Sequence, residues 1–342
     1  MKKLIFLSLI LVVLSASVFA GGGSQSGGLP QIGVAIYKFD DTFMSYVRNA
    51  IEKNAQGKAT VTTVDSQNAQ PTQNDQVDQF ITKKMKAIAI NPVDRTAAGT
   101  IADKAKAGNV PVVFFNREPF PDDMKKWDKI YYVGARAQES GTMEGQVLAD
   151  YWKANPGADK NGDGVLQYVM IRGEPGHQDA ELRRTYSIQA LNDAGIKTEC
   201  LIEDYANWDR PTAVTKMDAF WARFGDQIEA VICNNDDMAL GAIESLRKVG
   251  FFTGGKYMPV VGVDATAPAL QALAEGTLLG TVLNDAQNQG KATFDIAYAL
   301  ATGANPASAG WTLGNSDDGT VVGRYVWVPY QKVTKDNYKN FQ

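Results

Sequence analysis

Histidine and cysteine are scarce in this chain, whose 342 residues include one His and two Cys. Cys200 and Cys233 both fall within segments that are predicted to be strands of one sheet but not adjacent strands. A disulfide cannot join Cα atoms more than about 7 Å apart. We therefore predict two buried free thiols, even in a compartment that permits disulfides.

Long apolar runs and basic tracts are also missing from most of the chain. No segment after the N-terminal run approaches the roughly 20 apolar residues that a membrane-spanning helix needs. Basic and acidic residues are interleaved, and the net charge is −4. Proteins that bind nucleic acid usually carry a clustered basic surface, so we expect no nucleic-acid partner.

The first twenty residues form a segment of a different kind. Lys2 and Lys3 precede an apolar run, and small residues lead up to Ala20. This order is typical of a secretory signal peptide over 1–20, although an N-terminal membrane anchor is an alternative. Residues 21–30 are rich in Gly and Ser and predict a flexible spacer.

From residue 31 onward, short β-branched runs alternate with amphipathic segments of helical length. The predicted strands are 32–39, 60–64, 87–90, 110–115, 131–133, 166–171, 198–202, 230–233, 260–263, 279–283 and 325–328. The predicted helices are 43–55, 74–85, 96–107, 139–152, 180–194, 211–224, 238–249 and 286–302. This alternation favours parallel sheets. Because the pattern runs twice, we predict an α/β protein with two Rossmann-like, doubly wound lobes.

The C-terminal tail must be shared between these lobes, since neither lobe is complete without part of it. We assign 31–134 plus 285–320 to the N-terminal lobe. Residues 135–284 plus 321–342 are assigned to the C-terminal lobe. The chain is therefore expected to cross between the lobes more than once.

Polar and aromatic side chains follow many of the predicted strands, at the end where open parallel sheets bind ligands. They are Asp41, Phe43, Asn116, His177, Asp179, Arg183, Trp208, Asn235, Asp264 and Asn284. Carboxylates, amides and a guanidinium group suit vicinal hydroxyls, and aromatic faces suit the C–H faces of a pyranose. The set describes a sugar better than an amino acid or a phosphate.

Each of these residues also has a purely structural interpretation. Asp41 and Asp264 could cap helices, and the asparagines could lie in turns. His177, the only histidine, could be an ordinary core or surface residue. The functional interpretation depends on the whole set lying at strand ends in both lobes.

A second candidate site begins at Asp159. Side-chain oxygens fall at positions 1, 3, 5 and 9 of an EF-hand-like loop, at Asp159, Asn161, Asp163 and Gln167, and Val165 would contribute its carbonyl at position 7. Oxygen ligands at this spacing fit Ca²⁺, whereas zinc prefers Cys and His. A surface turn that happens to match is the alternative.

The candidate calcium loop lacks the usual glutamate at position 12, where Met170 stands, and a strand follows it in place of a helix. A distant carboxylate must then complete the site, and Glu229 is the candidate. A rigid loop of this kind indicates structural rather than signalling calcium.

Several segments together resemble the periplasmic galactose/glucose-binding proteins of bacterial sugar uptake and chemotaxis. The resemblance covers the chain from about residue 31 to its end, and the motifs that carry it are 37–41, 91–94, 112–116, 173–177, 233–236, 262–264 and 281–285, together with the calcium loop. It departs from the family at Arg117 and Cys233, where a lysine and a small residue are usual, and neither residue is expected to contact the sugar.

The resemblance implies a type I periplasmic binding protein fold, with three hinge strands near 134–136, 284 and 319–324. Phe43 and Trp208 would sandwich the pyranose, and the other eight candidate residues would bind its hydroxyls. The implied protein is a periplasmic monomer that delivers D-glucose or D-galactose to a membrane ABC permease, with a chemoreceptor as a further partner.

An exported sugar-active enzyme that uses His177 and Asp179 as an acid–base pair is the alternative function. Retaining glycosidases need two carboxyl groups placed on either side of the scissile bond, and no such pair is evident in the sequence. A gene regulator with this fold is excluded because the chain has no helix-turn-helix segment and begins with an export signal.

Overall fold

The computed structural model describes residues 28–342. Residues 1–27, which hold the expected signal peptide and most of the expected spacer, lie outside the described residues. The strands are β1 (Gln31–Ile36), β2 (Thr60–Asp65), β3 (Ala87–Ile90), β4 (Val112–Phe115), β5 (Ile130–Gly134), β6 (Val165–Arg172), β7 (Lys197–Tyr205), β8 (Ala230–Cys233), β9 (Val260–Val261), β10 (Gly280–Leu283), β11 (Tyr325–Trp327) and β12 (Gln331–Thr334).

Helices connect the strands. They are α1 (Thr42–Ala55), α2 (Gln70–Thr82), α3 (Ala98–Gly108), α4 (Pro121–Lys125), α5 (Ala137–Ala154), α6 (Gln178–Asp193), α7 (Arg210–Phe224), α8 (Asp236–Lys248), α9 (Ala267–Glu275) and α10 (Ala286–Thr302). None of the helices in this part of the chain combines the length and apolar character that crossing a bilayer requires.

The strands form two six-stranded sheets of matching order. The first sheet runs β11-β5-β4-β3-β1-β2 and the second runs β12-β10-β9-β8-β6-β7. All pairings are parallel except that of β10 with β12. The predicted α/β fold of two doubly wound lobes is therefore confirmed.

Each sheet has a hydrophobic core on both faces, which explains why its central strands are apolar throughout. In the first lobe, Val34 and Phe115 pack towards α1 and α10, while Ile88 and Phe114 pack on the opposite face. The second lobe repeats this arrangement with two further clusters. The polar ends of the strands are left to face the space between the lobes.

The chain crosses between the lobes three times, after β5, after β10 and after β11. The third crossing corrects our expectation. We placed residues from 321 onward in the second lobe, with a hinge near 319–324, but Tyr325–Trp327 pairs with β5 in the first sheet. Only β12 joins the second sheet, so the crossing lies between Trp327 and Gln331. A three-residue strand carries no local signal that selects one sheet edge over another.

The cysteines lie on β7 and β8, on either side of β6. Cys233 is buried, as expected, but Cys200 is exposed. The prediction that both thiols are buried was therefore wrong for Cys200, because β7 is the edge strand of its sheet and is only partly covered.

Candidate functional site

All ten residues that the sequence singles out at strand ends line one cavity between the lobes. The cavity is narrow, with a volume of about 40 Å³. The first lobe contributes the loops after β1 and β4, and the second contributes those after β6, β7, β8 and β9. The segment after β10 completes the wall with Asn284.

Asp41 has a structural role and also faces the cavity. It is the N-cap of α1, where its Oδ1 accepts the backbone N–H of Met44 at 2.7 Å. Its Oδ2 accepts the Tyr37 hydroxyl at 2.6 Å. The carboxylate is therefore fixed in orientation at the edge of the cavity.

Asn116 is held at the end of β4 by an unusual backbone conformation. Its φ is +62°, in the left-handed region that Asn tolerates better than most residues. Its Oδ1 accepts the Nδ2–H of the buried Asn91 at 3.2 Å, which leaves its own amide N–H groups for a ligand.

His177 is the N-cap of α6 and is neutral in this environment. Its Nδ1 accepts the backbone N–H of Asp179 at 3.1 Å, so the ring proton belongs on Nε2. Burial, followed by the nearby guanidinium groups of Arg117 and Arg183, holds the pKa of His177 well below its usual value. The imidazole can therefore donate to a ligand without carrying a charge.

Arg183 is a fixed guanidinium fork at the base of the cavity, where its side chain is only 4% exposed. Its Nε donates to Ser140 Oγ at 3.2 Å, and one terminal nitrogen donates to the Asn234 carbonyl at 2.7 Å. The other lies 3.2 Å from the Tyr330 hydroxyl and 3.6 Å from Asp179 Oδ2. Burial raises the pKa of Asp179, and Arg183 opposes this shift.

Asn235, Asp264 and Asn284 come from neighbouring strand ends of the second sheet. Asn235 caps α8 by accepting the Met238 N–H at 3.0 Å. Asn284 Nδ2 donates to Asp264 Oδ1 at 3.3 Å. Burial raises the pKa of Asp264 well above its usual value, partly offset by Arg183.

The two aromatic candidates lie on opposite lobes. Phe43 is in the first turn of α1, and Trp208 follows β7 in a left-handed conformation with φ +63°. The Trp208 ring lies so close to Gly173 that a Cβ there would approach it to 2.1 Å. Its edge-to-face contact with His177, with ring centroids 5.1 Å apart, also orients it.

The cavity lining also includes three residues that were not among the predicted ten, namely Tyr37, Met44 and Arg117. Arg117 was expected not to contact the sugar, yet its side chain forms part of the wall. Its guanidinium stacks over the Tyr37 ring at 3.8 Å. Because Arg117 directly follows Asn116 in the sequence, its place in the cavity wall could have been predicted from its position.

The lobes also contact each other directly beside the cavity. Arg117 of the first lobe donates to Glu174 of the second at 3.1 Å. Gln178 Nε2 of the second lobe donates to Glu118 Oε2 of the first at 3.0 Å. The structure is therefore that of a closed cleft.

The loop from Asp159 is tightly bonded to itself. The two carboxylate oxygens of Asp159 accept the N–H groups of Gly162 and Gly164 at 2.7 and 2.9 Å. Asn161 Nδ2 and Gln167 Nε2 each lie 2.9 Å from Asp163 Oδ2. These side chains therefore lie close together within the loop.

Glu229 reaches this loop from the start of β8. Its two oxygens accept the N–H groups of Lys160 and Gln167 at 2.7 and 3.0 Å, and the residue is 1% exposed. Within residues 28–342 no three His, Cys, Asp or Glu side chains form a metal cluster. A cation here would therefore depend on amide and carbonyl oxygens as well, which Asn161, Gln167 and Val165 offer, and this hard donor set fits Ca²⁺.

Comparison with known proteins agrees with this architecture. Residues 32–305 match the family model described as periplasmic binding protein domain. The chain is 45% identical to the D-galactose/methyl-galactoside binding periplasmic protein of Haemophilus influenzae, covering 96% of this chain and 98% of that protein. It is 32% identical to a putative rhizopine-binding protein of Rhizobium meliloti, covering 91% of this chain and 92% of that protein.

Among solved structures, the chain is similar to an ABC transporter solute-binding protein of Bacillus halodurans with bound myo-inositol. The TM-score is 0.76 at 28% identity, and the alignment covers 93% of this chain and 99% of that one. These comparisons confirm the resemblance inferred from the sequence motifs. The chain belongs to the periplasmic binding protein family.

Proposed function

We propose that this protein binds D-galactose, D-glucose or both between its lobes and delivers the sugar to an ABC permease. The observation that carries the proposal is that ten polar and aromatic side chains from both lobes line one cavity. The 45% identity to a galactose-binding relative supports a hexose ligand. The permease partner follows from the family.

The cavity offers the chemistry that a hexose needs. Asp41, Asp179 and Asp264 accept hydrogen bonds, Arg183 and neutral His177 donate, and the three asparagines do both. Phe43 and Trp208 offer aromatic surface from opposite lobes. Because each lobe holds only part of this set, bound sugar would favour the closed conformation over the open one.

Calorimetry with a panel of monosaccharides tests the ligand class and the epimer preference together. We expect a Kd in the micromolar range or below for at least one of the two hexoses. Trp208→Ala should weaken binding strongly, because it removes a large aromatic surface from the site. Cys233→Ala, a buried change outside the cavity lining, serves as the control and should bind nearly as the unaltered protein does. Absence of heat with both hexoses would reject the proposal.

We also infer export with cleavage after Ala20, consistent with a family of periplasmic proteins. N-terminal sequencing of protein recovered from the periplasm should begin at Gly21. We also propose that the protein is a monomer and that it has a chemoreceptor as an additional partner. Size-exclusion chromatography with light scattering tests the monomer, and loss of sugar-directed swimming in a deletion strain tests the receptor.

Asp159, Asn161, Asp163, Val165, Gln167 and Glu229 would hold a structural Ca²⁺, which would neutralise the carboxylates of the loop. The expected result is that a chelator lowers the melting temperature while sugar affinity stays the same, since the loop lies outside the sugar cavity. Restoring Ca²⁺ should restore the melting temperature in the unaltered protein but not in Asp163→Ala. An unchanged melting temperature after chelation would count against the site.

The proposed role is binding without catalysis, in line with relatives that are binding proteins. The Nδ1 of His177 accepts the Asp179 backbone N–H, so this nitrogen is not free to act as a base. Sugar incubated with the protein should be recovered unchanged. Appearance of a product would favour the enzyme alternative.

A further inference from the structure

Asn91 is a fully buried residue that contacts the cavity wall from behind without lining the cavity. It directly follows β3, which pairs in parallel with β4. Asn91 therefore lies next to Asn116, the lining residue that follows β4. Its Nδ2 donates to Asn116 Oδ1 at 3.2 Å, and within residues 28–342 no other hydrogen bond holds the Asn116 side chain.

Backbone groups set the orientation of the Asn91 amide. Its Oδ1 accepts the Tyr37 N–H at 3.2 Å, and a backbone N–H can only donate. The Nδ2 group must therefore face the opposite way, where it donates to the Phe115 carbonyl at 3.3 Å as well as to Asn116. Because neither backbone group can exchange its role, Asn116 must turn its Oδ1 towards Asn91. Its own Nδ2 group is then the part of the amide left for a ligand.

The segment that carries Asn91 is anchored to α2 by the fully buried Gln73. Gln73 Nε2 donates to the Asn91 carbonyl at 2.9 Å, and its Oε1 accepts the Val93 N–H at 3.0 Å. The Val93 carbonyl in turn accepts a hydrogen bond from Arg117 at 2.6 Å. One anchored segment thus holds two successive residues of the cavity wall, Asn116 and Arg117.

The second lobe separates the structural role of such an asparagine from its role at the cavity. Asn234 follows β8, which has the same place in the second sheet as β3 has in the first. Its Oδ1 accepts the N–H of Gly173, directly after β6, at 3.1 Å, just as Asn91 accepts that of Tyr37 after β1. Asn234 Nδ2, however, has no partner in the described part of the chain. The bond to the strand end is therefore common to both lobes, whereas the bond to a cavity residue belongs to Asn91.

We propose that Asn91 is a positioning residue for sugar binding, which holds Asn116 with its amide donor towards the ligand. A hexose hydroxyl can either donate or accept, so an unrestrained Asn116 could present either end of its amide. Asn91 removes this choice, and Asn116 recognises a hydroxyl by donating to it. This inference rests on the proposed function, because the ligand it concerns is the hexose in the cavity.

Calorimetry with the bound hexose on Asn91→Ala, Asn116→Ala and the double variant tests the coupling. Asn91→Ala should weaken binding by about 2- to 10-fold, the effect of one hydrogen bond. In the Asn116→Ala background it should weaken binding no further, because the residue through which it acts is absent. The melting temperature should fall in both backgrounds, since Tyr37 loses its partner in each.

The control for the coupling experiment is Asn54→Ala. Asn54 lies near the end of α1, outside the cavity lining, and its side chain donates to the Ala50 carbonyl at 2.8 Å. Its replacement should leave the hexose affinity unchanged in both backgrounds.

Asn116→Asp tests the orientation without changing the buried Asn91. The carboxylate still accepts from Asn91 but presents an oxygen to the ligand in place of the amide donor. The probes are deoxyfluoro hexoses with one hydroxyl at a time replaced by fluorine, which cannot donate. At one ring position, the loss of affinity on fluorination should be about 5-fold or more greater in Asn116→Asp than in the unaltered protein.

The outcomes distinguish the positioning role from the proposed function. Equal weakening by Asn91→Ala in both backgrounds, or no weakening in either, would overturn the positioning role and leave the function intact. The same fluorination losses in Asn116→Asp and the unaltered protein would also overturn it, and this result decides the matter if Asn91→Ala does not fold. Failure of every hexose to bind the unaltered protein would overturn the proposed function and the positioning role with it.

Discussion

Glu144 is a buried carboxyl group beneath the cleft, on α5. It is 1% exposed, and neither of its oxygens has a hydrogen-bond partner among the described residues. Burial raises the pKa of Glu144 well above its usual value, Arg183 opposes the shift, and Asp236 adds to it. The folded protein therefore keeps this carboxyl protonated at a pH where the unfolded chain would ionise it.

Replacing Glu144 with Gln should remove a pH-dependent loss of folding stability. Below the usual pKa of glutamate, about 4.3, both states are protonated and the substitution should have little effect. Above it, the unfolded state binds fewer protons than the folded state, so the unaltered protein loses stability as pH rises. Glu144→Gln should therefore melt at an increasingly higher temperature than the unaltered protein between pH 4.5 and 8.

Thermal unfolding followed by circular dichroism over that pH range measures the difference. Glu199→Gln, at an exposed position on β7, should track the unaltered protein at every pH. A constant offset between Glu144→Gln and the unaltered protein would show that Glu144 does not titrate differently on folding.

At the scale of elements, the packing of α5 on α6 positions Arg183. A Cβ added at Gly141 would lie 2.8 Å from the Arg183 carbonyl oxygen and 2.9 Å from its Cα. One turn further along, a Cβ at Gly145 would lie 2.2 Å from the Ser187 carbonyl oxygen. The two glycines therefore let the helices approach closely. Gly141 does so beside Arg183, which lines the cavity, whereas Gly145 does so farther from the cavity.

Gly141→Ala should push the backbone of Arg183 away and misplace its guanidinium. Overpacking costs about 1–3 kcal/mol of stability, and sugar affinity should fall several-fold. Gly145→Ala should lose comparable stability while binding sugar nearly normally. Chemical denaturation and calorimetry on both variants separate the effects, and equal loss of affinity in the two would contradict this positioning role.

For the whole molecule, closure is stabilised by contacts that only the closed form makes. The Arg117 side chain is 6% exposed and that of Glu174 is 19% exposed, so their ion pair across the cleft is largely shielded from water. When the lobes separate, this pair breaks and both charges regain solvent. The pair therefore contributes to closure rather than to the folding of either lobe.

Glu174→Gln should weaken sugar binding by about 5- to 30-fold, the effect of one or two kcal/mol, through faster dissociation. The melting temperature without sugar should not change. Stopped-flow fluorescence with sugar measures the dissociation rate. Glu181→Gln, which removes an ion pair with Arg172 inside the second lobe, is the control and should leave that rate unchanged. An unchanged dissociation rate in Glu174→Gln would show that the Arg117–Glu174 ion pair does not stabilise the closed form.

Much of this architecture could be predicted because its causes are local. Helical and strand periodicity identified the alternating elements, and the polar and aromatic residues that follow apolar strands identified ten of the thirteen residues that line the narrow cavity. In parallel sheets the carboxyl ends of strands lie along one edge. Residue order in the chain therefore carries direct information about this site.

Other features of the protein depend on residues that are distant in sequence. The pairing of Tyr325–Trp327 with β5, the exposure of Cys200 and the place of Arg117 in the cavity wall each depend on which elements pack together. Local sequence specifies each element and the polar residues at its end, whereas contacts between the lobes depend on how the whole chain packs.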